Sequence, residues 1–323
     1  MREKILKLLR ETPGDLSGEK ISEYLGVSRT AVWKQIKALK DIGYVIETKA
    51  GSGYRLKSAE RPLNQEELRL ILGEAGVFTQ AYYHPSIDST NAWAKTLSGR
   101  EGTLIVASEQ TSGRGRLGRE WISPRDKGLY VSFKLHPSIH PEKAMMLTQI
   151  AALGILKGLK QYCGIEVAIK WPNDLVVAGR KLVGILTEMT TEIEQVEKLV
   201  IGFGINLYPM SLPEEVLNRA VALEELMDGP IDGLILIQKI LENFTPLYLK
   251  FLKVQDLSFV IEELNRYSAV VDRDLMVIEN GESVPCHGSR IDKTGRLWVR
   301  DPSGKSIPLN SGEVSVRGTE SYI

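Results

Sequence analysis

The chain has 323 residues, enough for two or three domains rather than one small core. Its 43% hydrophobic and 25% charged residues are ordinary for a globular protein, so composition by itself names no function. Its two cysteines, Cys163 and Cys286, lie far apart without metal-ligand spacing, which argues against a disulfide framework and against structural zinc. The formal net charge is zero, but residues 1 to 58 carry twelve Lys and Arg against seven Asp and Glu. The positive excess therefore sits at the N-terminal end, where a nucleic-acid contact would use it. The first residues have no apolar run long enough for a signal peptide, and the stretch Ile150 to Leu159 is too short to span a bilayer. The expectation is a soluble cytoplasmic protein with no membrane partner.

In chain order, Ile5, Leu8 and Leu9 mark a first amphipathic helix, and Ile21 with Leu25 mark a second that stops at Gly26. Ser28 is placed to cap a third helix, whose Val32, Ile36 and Leu39 form a buried stripe. Arg29, Thr30, Trp33, Lys34 and Lys37 are left facing outward. Two short strands, Tyr44 to Thr48 and Tyr54 to Leu56, flank a glycine-containing loop bordered by Lys49 and Arg55. Helix, helix, turn, helix, wing is the order of a winged helix-turn-helix, with Ser28, Arg29, Thr30, Trp33, Lys34, Lys37, Lys49 and Arg55 as the DNA-contacting set. The alternative is a small helical domain used for protein contacts. Seven basic residues against two acidic ones from Ser28 to Lys57 favour DNA. Residues 59 to 62 read as a linker, which gives a first domain over 1–60.

From Leu63 to about Val270, helical patterns (Glu66 to Leu72, Ala144 to Tyr162) mix with strand-like runs at Leu104 to Ala107, Leu129 to Leu135, Val167 to Lys170, Leu182 to Met189 and Leu199 to Asn206. Short turns between several of these predict an α+β domain over 63–270, a mixed or antiparallel sheet with helices on one face. The segment Thr111 to Trp121 reads T-S-G-R-G-R-L-G-R-E-W. Gly113, Gly115 and Gly118 let backbone approach a ligand, and Arg114, Arg116 and Arg119 supply forked charge suited to phosphate or carboxylate. Although Gly113-x-Gly115-x-x-Gly118 matches the dinucleotide fingerprint, the sequence after it is strand-like, so the segment is a loop between strands and not a helix N-terminus. A solvated basic hairpin is the plainer alternative. Lys170 ends an apolar strand before Trp171-Pro172, where a desolvated ammonium would hold charge that develops on an attacked phosphate. An edge lysine guarding against aggregation is the common alternative on that segment alone. Asp88-Ser89-Thr90-Asn91 looks first like a helix N-cap and second like a ligand contact.

Together, Asp88 to Asn91, Gln110, the Gly113 to Trp121 loop, Lys170-Trp171-Pro172-Asn173-Asp174-Leu175, Lys181 to Leu186 and Gly202-Phe203-Gly204-Ile205-Asn206 occur in the order and spacing of biotin protein ligases. With the winged helix in front, the chain resembles the bifunctional members that also repress biotin genes. The lipoate ligases share the fold but carry an Arg-Arg-x-Ser-Gly-Gly loop, which this sequence lacks. The resemblance implies a biotin/lipoate ligase-like, class II synthetase-like central domain and an SH3-like barrel over 271–323, where strong turn signals recur. It implies a biotin–[biotin carboxyl-carrier protein] ligase that forms biotinyl-5′-AMP from biotin and ATP, with Mg²⁺ carried on the ATP and no protein-held metal. The biotinyl group then passes to a lysine of the carrier protein of an acetyl-CoA or pyruvate carboxylase. The implied biotin site is Ser89, Thr90, Asn91, Gln110, Gly113, Arg114, Gly115, Arg116, Lys170, Gly184 and Gly204, with Lys170, Arg114 and Arg116 catalytic. The implied adenylate site is Arg116, Gly118, Trp121, Asn173, Asn206, Glu313 and Arg317. The last two are equally readable as solvated barrel charges. Operator DNA and a homodimer promoted by the adenylate are the further implied partners. A ligand sensor without catalysis and a lipoate-type ligase are the competing functions. The first is opposed by the intact Lys170 and arginine loop, the second by the missing lipoate-type loop.

Overall fold

The computed structural model describes residues 1–323 except 50, 58–60, 73–75, 100–101, 193, 212, 280–281, 312–313 and 319–321. The chain forms two compact units, Met1–Ala75 and Gly76–Ile323.

The first unit contains α1 (Arg2–Glu11), α2 (Gly18–Leu25), α3 (Arg29–Asp41), β1 (Ile46–Lys49), β2 (Gly53–Leu56) and α4 (Gln65–Leu72). Gly26 ends α2 in the left-handed region (φ 65°), and the Ser28 hydroxyl accepts from the Ala31 amide 3.2 Å away to cap α3. Val32, Ile36 and Leu39 of α3 join Ile5, Leu6, Leu9, Ile21 and Tyr44 in one core, as their helical spacing requires. β1 and β2 pair antiparallel as the wing.

Helix α4, expected in the central domain because it follows the linker, belongs to this unit instead. Its Glu67 is fully buried, accepts from both guanidinium nitrogens of Arg10 and from the Tyr44 hydroxyl, and is itself oriented by Asn64. A buried carboxylate persists only with such partners. The N-terminal unit therefore extends past residue 60, and the 63–72 segment completes its core.

The second unit contains β3 (Phe78–His84), α5 (Thr90–Thr96), β4 (Gly102–Ala107), β5 (Gly128–Leu135), α6 (Ala144–Cys163), β6 (Ala168–Lys170), β7 (Asp174–Val177), β8 (Arg180–Glu192), β9 (Gln195–Asn206), α7 (Glu214–Leu217), α8 (Gly233–Val254), α9 (Ile261–Arg266), β10 (Asp274–Glu279), β11 (Glu282–Ile291), β12 (Leu297–Arg300), β13 (Ser306–Leu309) and β14 (Ser315–Gly318). A seven-stranded sheet runs in the order β3-β4-β5-β9-β8-β7-β6. Every pair is antiparallel except β3 with β4, so the sheet is mixed. The expected meander is present in β7-β8-β9, and the two strands that the hydrophobic pattern passed over are β3 and β7.

Helix α6 packs closely on α8: a Cβ at Gly154 would lie 2.9 Å from the Phe244 Cα, and one at Gly158 would lie 2.9 Å from the Ile240 Cα. The apolar stretch at Ile150 to Leu159 is thus a buried helix core. Among the described residues, no helix is long and apolar enough to cross a membrane. The C-terminal module is a five-stranded antiparallel sheet in the order β13-β12-β11-β10-β14. Its core of Val270, Leu275, Val277, Ile291, Leu297 and Val299 includes Trp171, whose indole N–H donates to the Gly295 carbonyl at 2.9 Å. The residue after Lys170 is in this way pinned to the C-terminal sheet.

Candidate active site and nucleic-acid interface

The sheet supplies a floor of glycines. Gly202 and Gly204 alternate on β9, so they share a face, and Gly184 of β8 stands directly opposite Gly204. Side chains from the rest of the chain fill the space the missing Cβ atoms leave. The Asn91 amide lies over Gly202, where a Cβ would meet its Oδ1 at 2.1 Å. The Trp121 indole lies over Gly204 and Gly184, where Cβ atoms would meet it at 2.3 and 2.8 Å.

Around that floor is a small chamber of about 50 Å³, lined by Ser89, Thr90, Asn91, Gln110, Arg114, Gly115, Arg116, Gly184 and Gly204 among others. Ser89 caps α5 by accepting from the Ala92 amide, as its N-cap pattern predicts. The cap holds Thr90 and Asn91 at the start of the helix and over the sheet. Gln110 accepts from the Thr90 amide (2.9 Å) and hydroxyl (3.1 Å) and donates to the Ser123 hydroxyl (3.0 Å). The Ser132 hydroxyl donates to Asn91 Oδ1 (2.6 Å) and lies 2.8 Å from the Thr90 hydroxyl, and the Asn91 amide group donates to Glu188, which pairs with Lys95. A short row of fixed donors and acceptors beside a floor without side chains of its own suits a flat, polar ring more than an alkyl chain.

The arginine loop lies between β4 and β5, which fits the strand-to-strand reading and rules out the helix that a dinucleotide fingerprint needs. It folds on itself: the Gly115 amide donates to the Arg119 carbonyl (2.7 Å), and the Trp121 amide donates to the Gly113 carbonyl (3.0 Å). Gly113 works through this close backbone approach and does not line the chamber; a Cβ there would lie 2.3 Å from the Trp121 carbonyl oxygen. Gly118 takes φ 71° at the exposed tip and lines neither chamber. Arg116 points inward, donating to Asn173 Oδ1 at 3.1 Å and to the Ser311 carbonyl, so it ties the loop to the C-terminal module. Burial depresses its guanidinium pKa, opposed by Asp174.

A second chamber of about 300 Å³ adjoins the first through Gly115, Arg116, Trp121, Asn173 and Lys181, which line both. Lys170, Asp174, Asn206 and Arg317 line the second alone. Lys170, implied as a contact of both the biotin carboxylate and the α-phosphate, thus lines the second chamber and not the first. It is 5% exposed, and burial pushes its ammonium down to about 7, against the pull of Asp174 and with help from Lys181, Arg317 and Arg119. Burial would raise the Asp174 carboxyl, but the Lys181 ammonium at 2.7 Å and the Tyr322 hydroxyl outweigh it and hold that group below its usual range. Asn173 donates to the Ile185 carbonyl (2.8 Å), and Asn206 donates to the carbonyls of Lys181 and Val221 (3.3 Å each). Their amide N–H groups shape the wall, and the Asn173 Oδ1 is the acceptor of the Arg116 bond.

Glu313 lies outside the described residues. Sequence reasoning assigned no role to Asp174, Lys181 or Tyr322. The first two are visible in the Lys-Trp-Pro-Asn-Asp and Lys-Leu-Val-Gly segments, but nothing in the pattern around Tyr322 marks it.

In the N-terminal unit, Ser28, Arg29, Thr30, Trp33, Lys34 and Lys37 form one exposed face of α3, with the Lys37 ammonium 5.8 Å from the Trp33 ring centroid. Trp33 is 53% exposed on that face. Lys49 and Arg55 are exposed on the wing, where Arg55 pairs with Asp15 at 2.7 Å.

Known proteins resemble both units. Residues 1–55 match the HTH domain family, and residues 83–206 match the biotin/lipoate A/B protein ligase family. A bifunctional ligase/repressor of Bacillus subtilis is 39% identical over 254 residues, 77% of this chain and 78% of that protein. The bifunctional ligase/repressor of Escherichia coli is 31% identical over 310 residues, 94% of each. The solved biotin protein ligase of Aquifex aeolicus, in complex with biotin and ATP, superposes with a TM-score of 0.66 at 27% identity, covering 75% of this chain and all of that one. With a helix-turn-helix unit ahead of a ligase core, and relatives alike across both, this chain belongs to the biotin/lipoate A/B protein ligase family in its bifunctional ligase/repressor form.

Proposed function

We propose that this protein is an ATP-dependent biotin protein ligase that also acts as a biotin-responsive repressor. The observation that carries the ligase half is the pair of adjoining chambers. The first, with polar groups of Thr90, Asn91 and Gln110 beside a glycine floor, takes the biotin ring. The second, lined by Lys170, Arg317, Asn173 and Asn206, takes the nucleotide. Arg116 stands at their junction, where the biotin carboxylate must meet the α-phosphate.

The chemistry follows from that placement. Arg116 and Lys170 bring two anions together that would otherwise repel, and they hold the charge that grows on the α-phosphate as the carboxylate oxygen attacks and pyrophosphate leaves. The product is the mixed anhydride biotinyl-5′-AMP. In the second step the neutral amine of a carrier-protein lysine attacks its acyl carbon, and AMP departs. The arginine loop keeps water from the anhydride between the steps. Among the described residues, no group of three or more His, Cys, Asp and Glu is placed to hold a metal ion. Mg²⁺ would come in on the ATP, held by substrate phosphates and water, because both oxygens of Asp174 are engaged by Lys181 and Tyr322.

For the repressor half, the exposed α3 face reads base edges and the wing touches backbone. One such unit offers few base contacts, so two are needed on a palindromic operator. We extend the proposal to a homodimer favoured by biotinyl-5′-AMP, to the three-module division of the chain and to a carboxylase carrier protein as acceptor. Linkage then requires operator DNA to tighten adenylate binding by the factor by which the adenylate tightens DNA binding. Incubation with biotin, ATP and an isolated biotin carboxyl carrier domain tests the whole reading: one biotinyl mass added at one lysine is expected. Sedimentation with and without biotin plus ATP tests the dimer, and an association indifferent to both would contradict it.

A further inference from the structure

Tyr322 belongs to no part of the site expected from sequence, yet it is in contact with the site's central charges. The Lys170 ammonium lies 3.1 Å from the centroid of the Tyr322 ring, and the Tyr322 hydroxyl donates to the Asp174 carboxylate. The other oxygen of Asp174 is held by Lys181 at 2.7 Å. Lys170, Asp174, Lys181 and Tyr322 all line the nucleotide chamber. The Tyr322 carbonyl accepts from the Gly318 amide at 3.4 Å, and Ile323 packs against the C-terminal core.

A ring face attracts an ammonium, and the attraction is strongest where water is excluded. A carboxylate or phosphate oxygen attracts it more, at about 2.7–2.9 Å, but cannot occupy the face that the ring covers. We propose that Tyr322 is an internal competitor for the anion site of Lys170, which holds the ammonium and Asp174 in place until the α-phosphate of the nucleotide displaces it. The proposal rests on the adenylating role of the chamber. Its consequence is thermodynamic: if only a fraction of molecules have the ring turned away, the apparent nucleotide affinity is reduced by that fraction. In return, a buried ammonium keeps a partner before substrate arrives.

The test uses the full chain with Tyr322→Ala and Tyr322→Phe. ATP binding is measured by calorimetry, and biotin-dependent pyrophosphate exchange gives kcat and KM. Tyr322→Ala is expected to tighten ATP binding and lower its KM on the order of tenfold, the size of one desolvated cation–π contact. Tyr322→Phe keeps the ring and loses the bond to Asp174, so it should fall between the parent and the alanine variant. Weaker or unchanged ATP binding in Tyr322→Ala would overturn the proposal, the former by making the ring a wall of the site. Should the alanine variant fail to fold, Tyr322→Phe decides: a lowered KM supports competition, and an equal or raised one refutes it. If ATP binding tightens while even the parent shows no biotin-dependent exchange, the ligase reading fails and the competition stands.

Discussion

Lys170→Met separates what this lysine costs the fold from what it gives the reaction. The side chain is 5% exposed, and its ammonium is pushed from 10.5 to about 7, chiefly by burial. A tenfold weakening of proton affinity is worth about 1.4 kcal/mol, so holding the charge costs the fold on the order of 5 kcal/mol at most. The sign follows from the direction. The folded pKa lies below the unfolded one, so the penalty is complete below about pH 7 and fades as pH rises towards 10.5, where the unfolded chain also loses its proton. Methionine keeps the aliphatic length without the charge. Lys170→Met should therefore be at least as stable as the parent at about pH 7, with an advantage that shrinks towards about pH 10. Its adenylate formation should fall on the order of 10²–10³, the loss typical for one preorganised donor at a reacting centre. Denaturant melts across that pH range and pyrophosphate exchange measure the two effects. Exchange within a few-fold of the parent refutes the role given to Lys170, and a variant less stable than the parent at neutral pH refutes the desolvation argument.

Arg116→Gly removes the donors to Asn173 and the Ser311 carbonyl, so biotinyl-5′-AMP should escape and label lysines indiscriminately; retention of the adenylate as tight as in the parent would contradict the lid. Gly202→Ala places a Cβ 2.1 Å from Asn91 Oδ1, and the displaced amide should raise the KM for biotin about tenfold with a stability loss of roughly 1–3 kcal/mol, checked by exchange kinetics and melting. Deletion of residues 1–75 should abolish operator binding and spare exchange, whereas a cut at residue 62 leaves the apolar Leu68 and the Glu67 carboxylate without their core and should aggregate. A truncated chain that still bound operator specifically would place the DNA site in the second unit.

Local signals carried the N-terminal unit well. Gly26 ends α2 and Ser28 starts α3 by capping chemistry that depends on neighbours within four residues, and the Val32, Ile36, Leu39 stripe needs only helical period. The arginine loop was legible for the same reason: its glycines and the strand after it lie within one window. What stayed hidden depends on distant partners. Helix α4 is amphipathic wherever it docks, and only Arg10 and Tyr44 reveal its core. β3 pairs in parallel with β4 across α5, and short β7 follows a proline. Tyr322 reaches Lys170 from the far end of the chain, a contact that no spacing in the sequence records.

In the proposed reaction the two chambers join biotin to the α-phosphate of ATP. Exchange of labelled pyrophosphate into ATP, run with biotin, with lipoate and with neither, tests it without a carrier protein or DNA. Exchange is expected with biotin alone, reduced on the order of 10²–10³ by Lys170→Met. Exchange supported by lipoate and not by biotin, or no exchange with either acid, would contradict it.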